Sequence, residues 1–268
     1  MIRGLYASAS AMVADLLRQD VVANNVANAT TPGFNRDCVG FESFPSMLIQ
    51  ASDRGLFLGS ITQGSRAGGT YVDTQRGPAC RTGGAQDVFI RGDGYFAVQD
   101  GDEIAYTRHG SLVTGQGGLL TTQQGHAVLG VTGPLRADSG AISIDARGWV
   151  RSGDTTVGRL KVVRFGEHVQ LVKNGHGYLV PGGTRTREQG LPWGQGAGED
   201  TWRWPSVAPG PEQVAEPDLE PGAVEMSNVN PVIEMVSLIN VLRSYEANAR
   251  ALQAQDETLA RAVNDIAR

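Results

Sequence analysis

Apolar residues recur in heptads at both ends of the chain, and the long segment between carries no such pattern. Over residues 2–28, Leu5, Ala9, Met12, Leu16, Gln19, Ala23 and Val26 follow alternating steps of four and three, a coiled-coil seam broken only by Gln19. Over residues 230–267, Met235, Leu238, Leu242, Tyr245, Ala249, Leu252, Asp256, Leu259, Val263 and Ile266 do the same, with Asp256 the polar interruption. Pro231 suits the first turn of that helix, and Ser227, Asn228 and Asn230 supply capping oxygens just before it. The two helices would be about 40 and 55 Å long at 1.5 Å per residue. They are natural partners for each other. A lone pair still leaves much apolar surface wet, so partners from other subunits are expected.

The middle reads as β structure. Glycine is abundant, at 36 of 268 residues, which calls for many tight turns. Strands are expected at Asp87–Arg91, Tyr95–Gln99, Ile104–Thr107, Leu119–Thr122, Ala141–Asp145, Gly158–Phe165 and Gly177–Val180, separated by turn chemistry such as Gly92-Asp93-Gly94. Residues 181–222 are rich in Gly and Pro, with Trp193, Trp202 and Trp204 among them, and read as a long loop. The predicted class is α+β. A terminal helix and turn occupy 1–39, a Gly-rich antiparallel β domain 40–225, and a second terminal helix 226–268, with the helices forming a coiled-coil or helical-polymer core.

The bulk chemistry narrows function further. A net charge of −5 with only Lys161 and Lys173 as lysines makes a poor phosphate binder, so nucleic acid is not an expected partner. No stretch approaches the 18 or so apolar residues of a membrane span. The N-terminus lacks the continuous apolar region of a secretory signal, so Sec-type export is not expected. Cys38 and Cys80 form no CxxC; one disulfide or two free thiols both fit. No cofactor or metal site is expected: GxxxxGK[ST], HExxH and GxSxG are missing, and His109, His126, His168 and His176 lack partners at ligand spacing. Asp100, Asp102 and Glu103 read as a solvated hairpin tip, Arg91-Gly92-Asp93 as a chance tripeptide. No catalytic constellation emerges.

Several stretches together resemble the basal-body rod family of bacterial flagellar axial proteins. ANNVANATTPGFNR (23–36) is similar to that family's N-terminal signature, an ANN-[LIV]-AN segment followed by a T-x-G-[FY] turn. IRGDGYFAVQDGDEIAYTRHGSL (90–112) and GGLLTTQQGHAVLG (117–130) resemble its glycine–aromatic strand and the Y-T-R-x-G that follows. SNVNPVIEMVSLINVLRSYEANARAL (227–252) resembles its S-N-V-N helix start and R-x-Y-E-x-N core. Pro231-Val232 stands where the family often has Val-Glu, which would displace the helix start, and 181–222 does not match. The opening MIRGL leans towards the distal rod type or a close paralogue, and the length argues against a hook protein.

The resemblance implies a non-enzymatic subunit that polymerises helically through its termini. It implies copies of itself and other rod and hook subunits as partners, and export by the flagellar type III apparatus to an extracytoplasmic place in the basal body. A proximal-rod or hook-type paralogue, a secreted enzyme acting on cell-wall polysaccharide, and an adhesin are the alternatives. The expected inter-subunit residues are Leu5, Met12, Leu16, Ala23, Asn24, Asn25, Val26 and Asn28 on the first helix. On the second they are Met235, Leu238, Leu242, Tyr245, Leu252, Leu259 and Val263. Among the asparagines, at least one is expected to set helix register between copies; the competing reading has Asn28 capping the helix and Asn24 and Asn25 facing solvent.

Overall fold

Both heptad segments are helices in the computed structural model: α1 spans Ile2–Ala27 and α2 spans Pro231–Ile266. The structure describes residues 2–43, 47–50, 57–61, 65–101, 103–137, 142–166, 169–174, 177–182 and 211–266. Despite the Pro231-Val232 departure, α2 begins directly after Asn230. The side-chain oxygen of that residue accepts from the Val232 and Ile233 backbone N–H groups at 3.1 and 3.4 Å.

The chain divides into two units. Residues 1–29, 36–73 and 229–268 make the first, and residues 30–35 and 74–228 the second. The β domain predicted from residue 40 therefore starts later. Residues 36–73 belong with the terminal helices because they form a hairpin that lies on α1.

In the first unit the helices run antiparallel. Asp15 accepts hydrogen bonds from Ser244 and Asn248, at 2.8 and 3.2 Å, and Gly4 faces Gln255. The hairpin comprises β1 (Asp37–Ser43), β2 (Met47–Gln50), β3 (Phe57–Ile61) and β4 (Ser65–Val72). β1 pairs with β4 from Asp37↔Val72 to Ser43↔Ser65, and β2 pairs with β3 in the same step from Met47↔Ile61. α1 packs on β1 and β4. Asn25, buried on α1, clamps the start of β1: its Nδ2 donates to the Asp37 carbonyl at 2.8 Å and its Oδ1 accepts from the Asp37 N–H at 2.9 Å. Arg36 then bridges Asp73 at 3.1 Å and Glu234 of α2 at 3.5 Å.

The second unit is antiparallel throughout. Its strands are β5 (Ala79–Arg81), β6 (Val88–Ile90), β7 (Tyr95–Asp100), β8 (Glu103–Thr107), β9 (Leu112–Thr114), β10 (Leu120–Thr122) and β11 (Ala127–Gly130), followed by β12 (Gly133–Pro134), β13 (Ile142–Ile144), β14 (Trp149–Ser152) and β15 (Thr155–Arg159). They continue with β16 (Val162–Arg164), β17 (Gln170–Lys173), β18 (Leu179–Gly182), β19 (Glu212–Gln213), β20 (Leu219–Pro221) and β21 (Ala223–Glu225). One sheet runs β17-β18-β8-β7-β11-β10-β9, with β12 on β11, β16 on β7 and β19 on β16. β13-β14-β15 form a meander, while β20 pairs with β6 and β21 with β5. A single core of Val88, Phe96, Val98, Leu112, Leu120, Val128, Ile142, Val150, Leu160 and Leu219 ties these pieces together.

The expected strands lie at or near β6, β7, β8, β10, β13 and β18. The run Gly158–Phe165 differs: it is two strands, because pairing with β14 ends where Leu160 donates to Gly148 and the chain passes to β11, where Lys161 donates to Leu129. The predicted loop 181–222 contains the end of β18 and all of β19 and β20. Its three tryptophans lie outside the described residues. Both cysteines are free.

Candidate assembly interface

The facing surfaces of α1 and α2 are small and polar where they meet most closely. Gly4 lies against Gln255, and Asp15 against Ser244 and Asn248. Ala14, Val22, Glu234 and Val241 are buried, and Leu238, Tyr245, Leu252 and Leu259 are half-buried on the same stripe. This stripe shares every second position with the predicted seam of α2 and lies one residue earlier at the others. Polar contacts close the pair in that frame, so several large apolar residues turn outward.

The predicted residues divide accordingly. Leu5, Met12, Val26 and Asn28 are half-buried, whereas Leu16, Ala23, Asn24, Met235, Leu242 and Val263 are exposed. Asn25 is spent inside its own chain, on a strand and not on a helix. Both ends of its carboxamide are bonded to Asp37 of the same chain. The side chain of Asn28 donates to the Asn24 carbonyl at 2.9 Å, closing the last turn of α1.

The outward apolar faces include residues that the heptad frame passes over. Val232, Ile233, Val236 and Ile239 join Met235 and Leu242 on α2, and Tyr6 and Val13 join Leu16 on α1. At 100° per residue Val232, Val236 and Ile239 on α2, and Tyr6, Val13 and Leu16 on α1, lie about half a turn from the faces that meet, and Ile233, Met235 and Leu242 about a quarter turn. Their signal was present in the sequence as a second apolar stripe on each helix, which marks a helix with partners on two sides. Contiguous exposed apolar surface of this kind marks a contact site.

In the second unit the N-terminal turn and the Tyr-Thr-Arg-His-Gly segment meet. Gly33, at φ +68°, donates its N–H to the Glu225 carbonyl at 2.8 Å. Any side chain there would collide with the His109 backbone, which is the reason for glycine. Phe34 lies 3.6 Å beneath the Lys173 ammonium, which also donates to the Asn35 carbonyl at 2.6 Å. Arg108 and Glu225, each 3% exposed, form an ion pair at 3.2 Å, and the Gly77 N–H adds a bond to Glu225 at 2.9 Å. The Arg108 guanidinium also sits 4.9 Å from the Tyr95 ring centroid. Burial pushes the Glu225 carboxyl up, and Arg108 pulls it back. This pair holds β21 to the end of β8. Among the described residues no group of three or more His, Cys, Asp or Glu could hold a metal.

Three family models match the chain. "Flagella basal body rod protein" covers residues 5–35, "Flagellar hook protein FlgE/F/G D1 domain" covers 89–157, and "Flagellar basal body rod FlgEFG protein C-terminal" covers 220–265. Among curated relatives, the flagellar basal-body rod protein FlgF of Mesorhizobium japonicum is 32% identical over 94% of this chain and 92% of its own length. The rod protein FlgG of Bacillus subtilis is 31% identical over 98% of this chain and 99% of its own. FlgF of Escherichia coli is 32% identical over 98% and 97%.

Proposed function

This chain belongs to the flagellar basal-body rod protein family, and we propose that it builds the rod by packing its terminal helices against those of neighbouring subunits. It is a structural subunit of the basal body and not an enzyme. In the assembled rod α1 and α2 enter a coiled-coil core with helices of other copies and of other axial subunits of the rod and hook, and the β unit is the outer part. Delivery is through the flagellar type III apparatus, to a place outside the cytoplasm in the cell envelope. No helix of the described chain is long and apolar enough to cross a membrane, which fits a subunit held by protein contacts.

The observation that carries this reading is the outward apolar surface of the helix pair. Val232, Met235, Val236, Ile239 and Leu242 are each 42% exposed or more on α2, as are Tyr6, Val13 and Leu16 on α1. Leaving such surface in water is unfavourable by about 25 cal/mol per Å² of apolar area, and neighbouring helices relieve it.

The test is Leu242→Asp. Leu242 is exposed in the single chain, so the substitution should leave the subunit folded. In a helix-packed rod it places an unpaired carboxylate in an apolar contact, a costly burial. Expected outcomes are lost swimming, no recoverable rods, and an unchanged circular dichroism spectrum of the purified protein at dilution. Asp93→Ala, far from the helices in sequence, should leave motility unchanged. Intact rods with Leu242→Asp would overturn the reading.

A further inference from the structure

The apolar stripes on the two helices sit at opposite ends of the pair. The α1 stripe of Tyr6, Val13 and Leu16 occupies its first half, and further along that face Asp20 and Asn24 are exposed and polar. The α2 stripe of Val236, Ile239 and Leu242 lies in its first third, beyond which the outer surface carries the exposed ion pairs Glu246–Arg250 and Glu257–Arg261. Because the helices run antiparallel with Asp15 beside Ser244, the α2 stripe is level with the polar half of α1, and the α1 stripe with the charged part of α2. Two copies set side by side without a shift would put each apolar stripe on polar surface. A two-fold contact of α2 stripe on α2 stripe would cover one stripe and leave the other wet.

Resting on the rod reading above, we propose that the α2 stripe of one copy packs on the α1 stripe of the next, with the two copies shifted along the helix axis. This single contact covers both stripes. It is heterologous, and the shift prevents it from closing into a ring, so repetition gives a helical array. The register sets the size of the shift. Ile239 is level with Asp20 of its own α1, so seating it on the neighbour's Val13 moves the copies by seven residues, about 10 Å at 1.5 Å per residue. Seating Leu242 on Tyr6 by the same register gives about 16 Å. The expected stagger between contacting copies lies in that interval.

Pairwise cysteine crosslinking in assembled basal bodies tests this. Cys38→Ser and Cys80→Ser remove the native thiols. Two differently tagged copies are then co-expressed, one carrying Ile239→Cys and the other Val13→Cys, with Leu242→Cys/Tyr6→Cys and Val236→Cys/Leu16→Cys as further pairs. Oxidation of purified basal bodies should give a mixed-tag dimer with at least one of the three pairs. It should give no dimer when both tagged copies carry Ile239→Cys. Dimers between two Ile239→Cys copies, or basal bodies containing both tags with no mixed dimer from any pair, would overturn the staggered contact while leaving the rod reading intact. Absence of the wild-type tagged chain from basal bodies would instead overturn the rod reading, and the staggered contact with it.

Discussion

A buried arginine–glutamate pair is tolerated only when both partners stay. Arg108 and Glu225 are withdrawn from water together, and the Arg108 Nη1 donates to both carboxylate oxygens at 3.3 and 3.2 Å. Glu225→Leu removes the acceptor and strands a buried guanidinium, which should cost about 3–5 kcal/mol. The double variant Arg108→Met/Glu225→Leu removes both charges and should recover most of that loss. Thermal melts of the wild type and the two variants check both statements. His109 gives the same unit a pH dependence. Burial holds its imidazole below the usual 6.5, with Asp87 pulling the other way. The unfolded chain therefore takes up this proton first. The contribution is fully present above pH 6.5 and is lost as pH falls towards the depressed folded value. The melting temperature should drop on acidification from pH 7.5 to 5, and His109→Gln should flatten that slope.

At the scale of elements, one carboxamide ties the end of α1 to the base of its hairpin. Asn25 is 1% exposed, and it bonds both the N–H and the carbonyl of Asp37. A leucine fills similar space but removes both of these hydrogen bonds, each worth about 0.5–1.5 kcal/mol net. Asn25→Leu should loosen the hairpin base while α1 remains helical. Hydrogen exchange read by mass spectrometry should show faster exchange in 36–43 and 65–73, with little change in 79–130. Protection unchanged at the hairpin base would assign Asn25 a lesser part.

At the scale of the whole molecule, two helices with apolar outer stripes serve an assembly better than a monomer. Helix stability comes chiefly from packing, and isolated helices are marginal in water. Circular dichroism of the free protein should show helicity rising with concentration, together with mass by light scattering. Full helicity independent of concentration would contradict this. The β unit, with its own core of Val88, Phe96, Leu120, Ile142 and Leu219, should keep its transition at every concentration.

The heptads and capping residues of this sequence were enough to determine that both ends are helices, because helix period and capping are local properties. Turn chemistry likewise marked the β character of the middle, and the absence of a catalytic constellation was visible before the family was known. Tertiary structure decided the rest. Which face of each helix is inward depended on Asp15 meeting Ser244 and Asn248, a contact between residues more than two hundred positions apart. The hairpin of 36–73 joined the helices, and the predicted Gly158–Phe165 strand broke in two, because hydrogen bonds to distant backbone outweighed local β propensity. That Asn25, one of three asparagines flanking or following the seam, bonds Asp37 of its own chain followed only from the fold, because a sequence does not show which backbone a carboxamide meets. The Thr-Thr-Pro-Gly-Phe turn marked the end of α1 from sequence alone, but that Gly33 had to be glycine followed only from the His109 backbone lying against it.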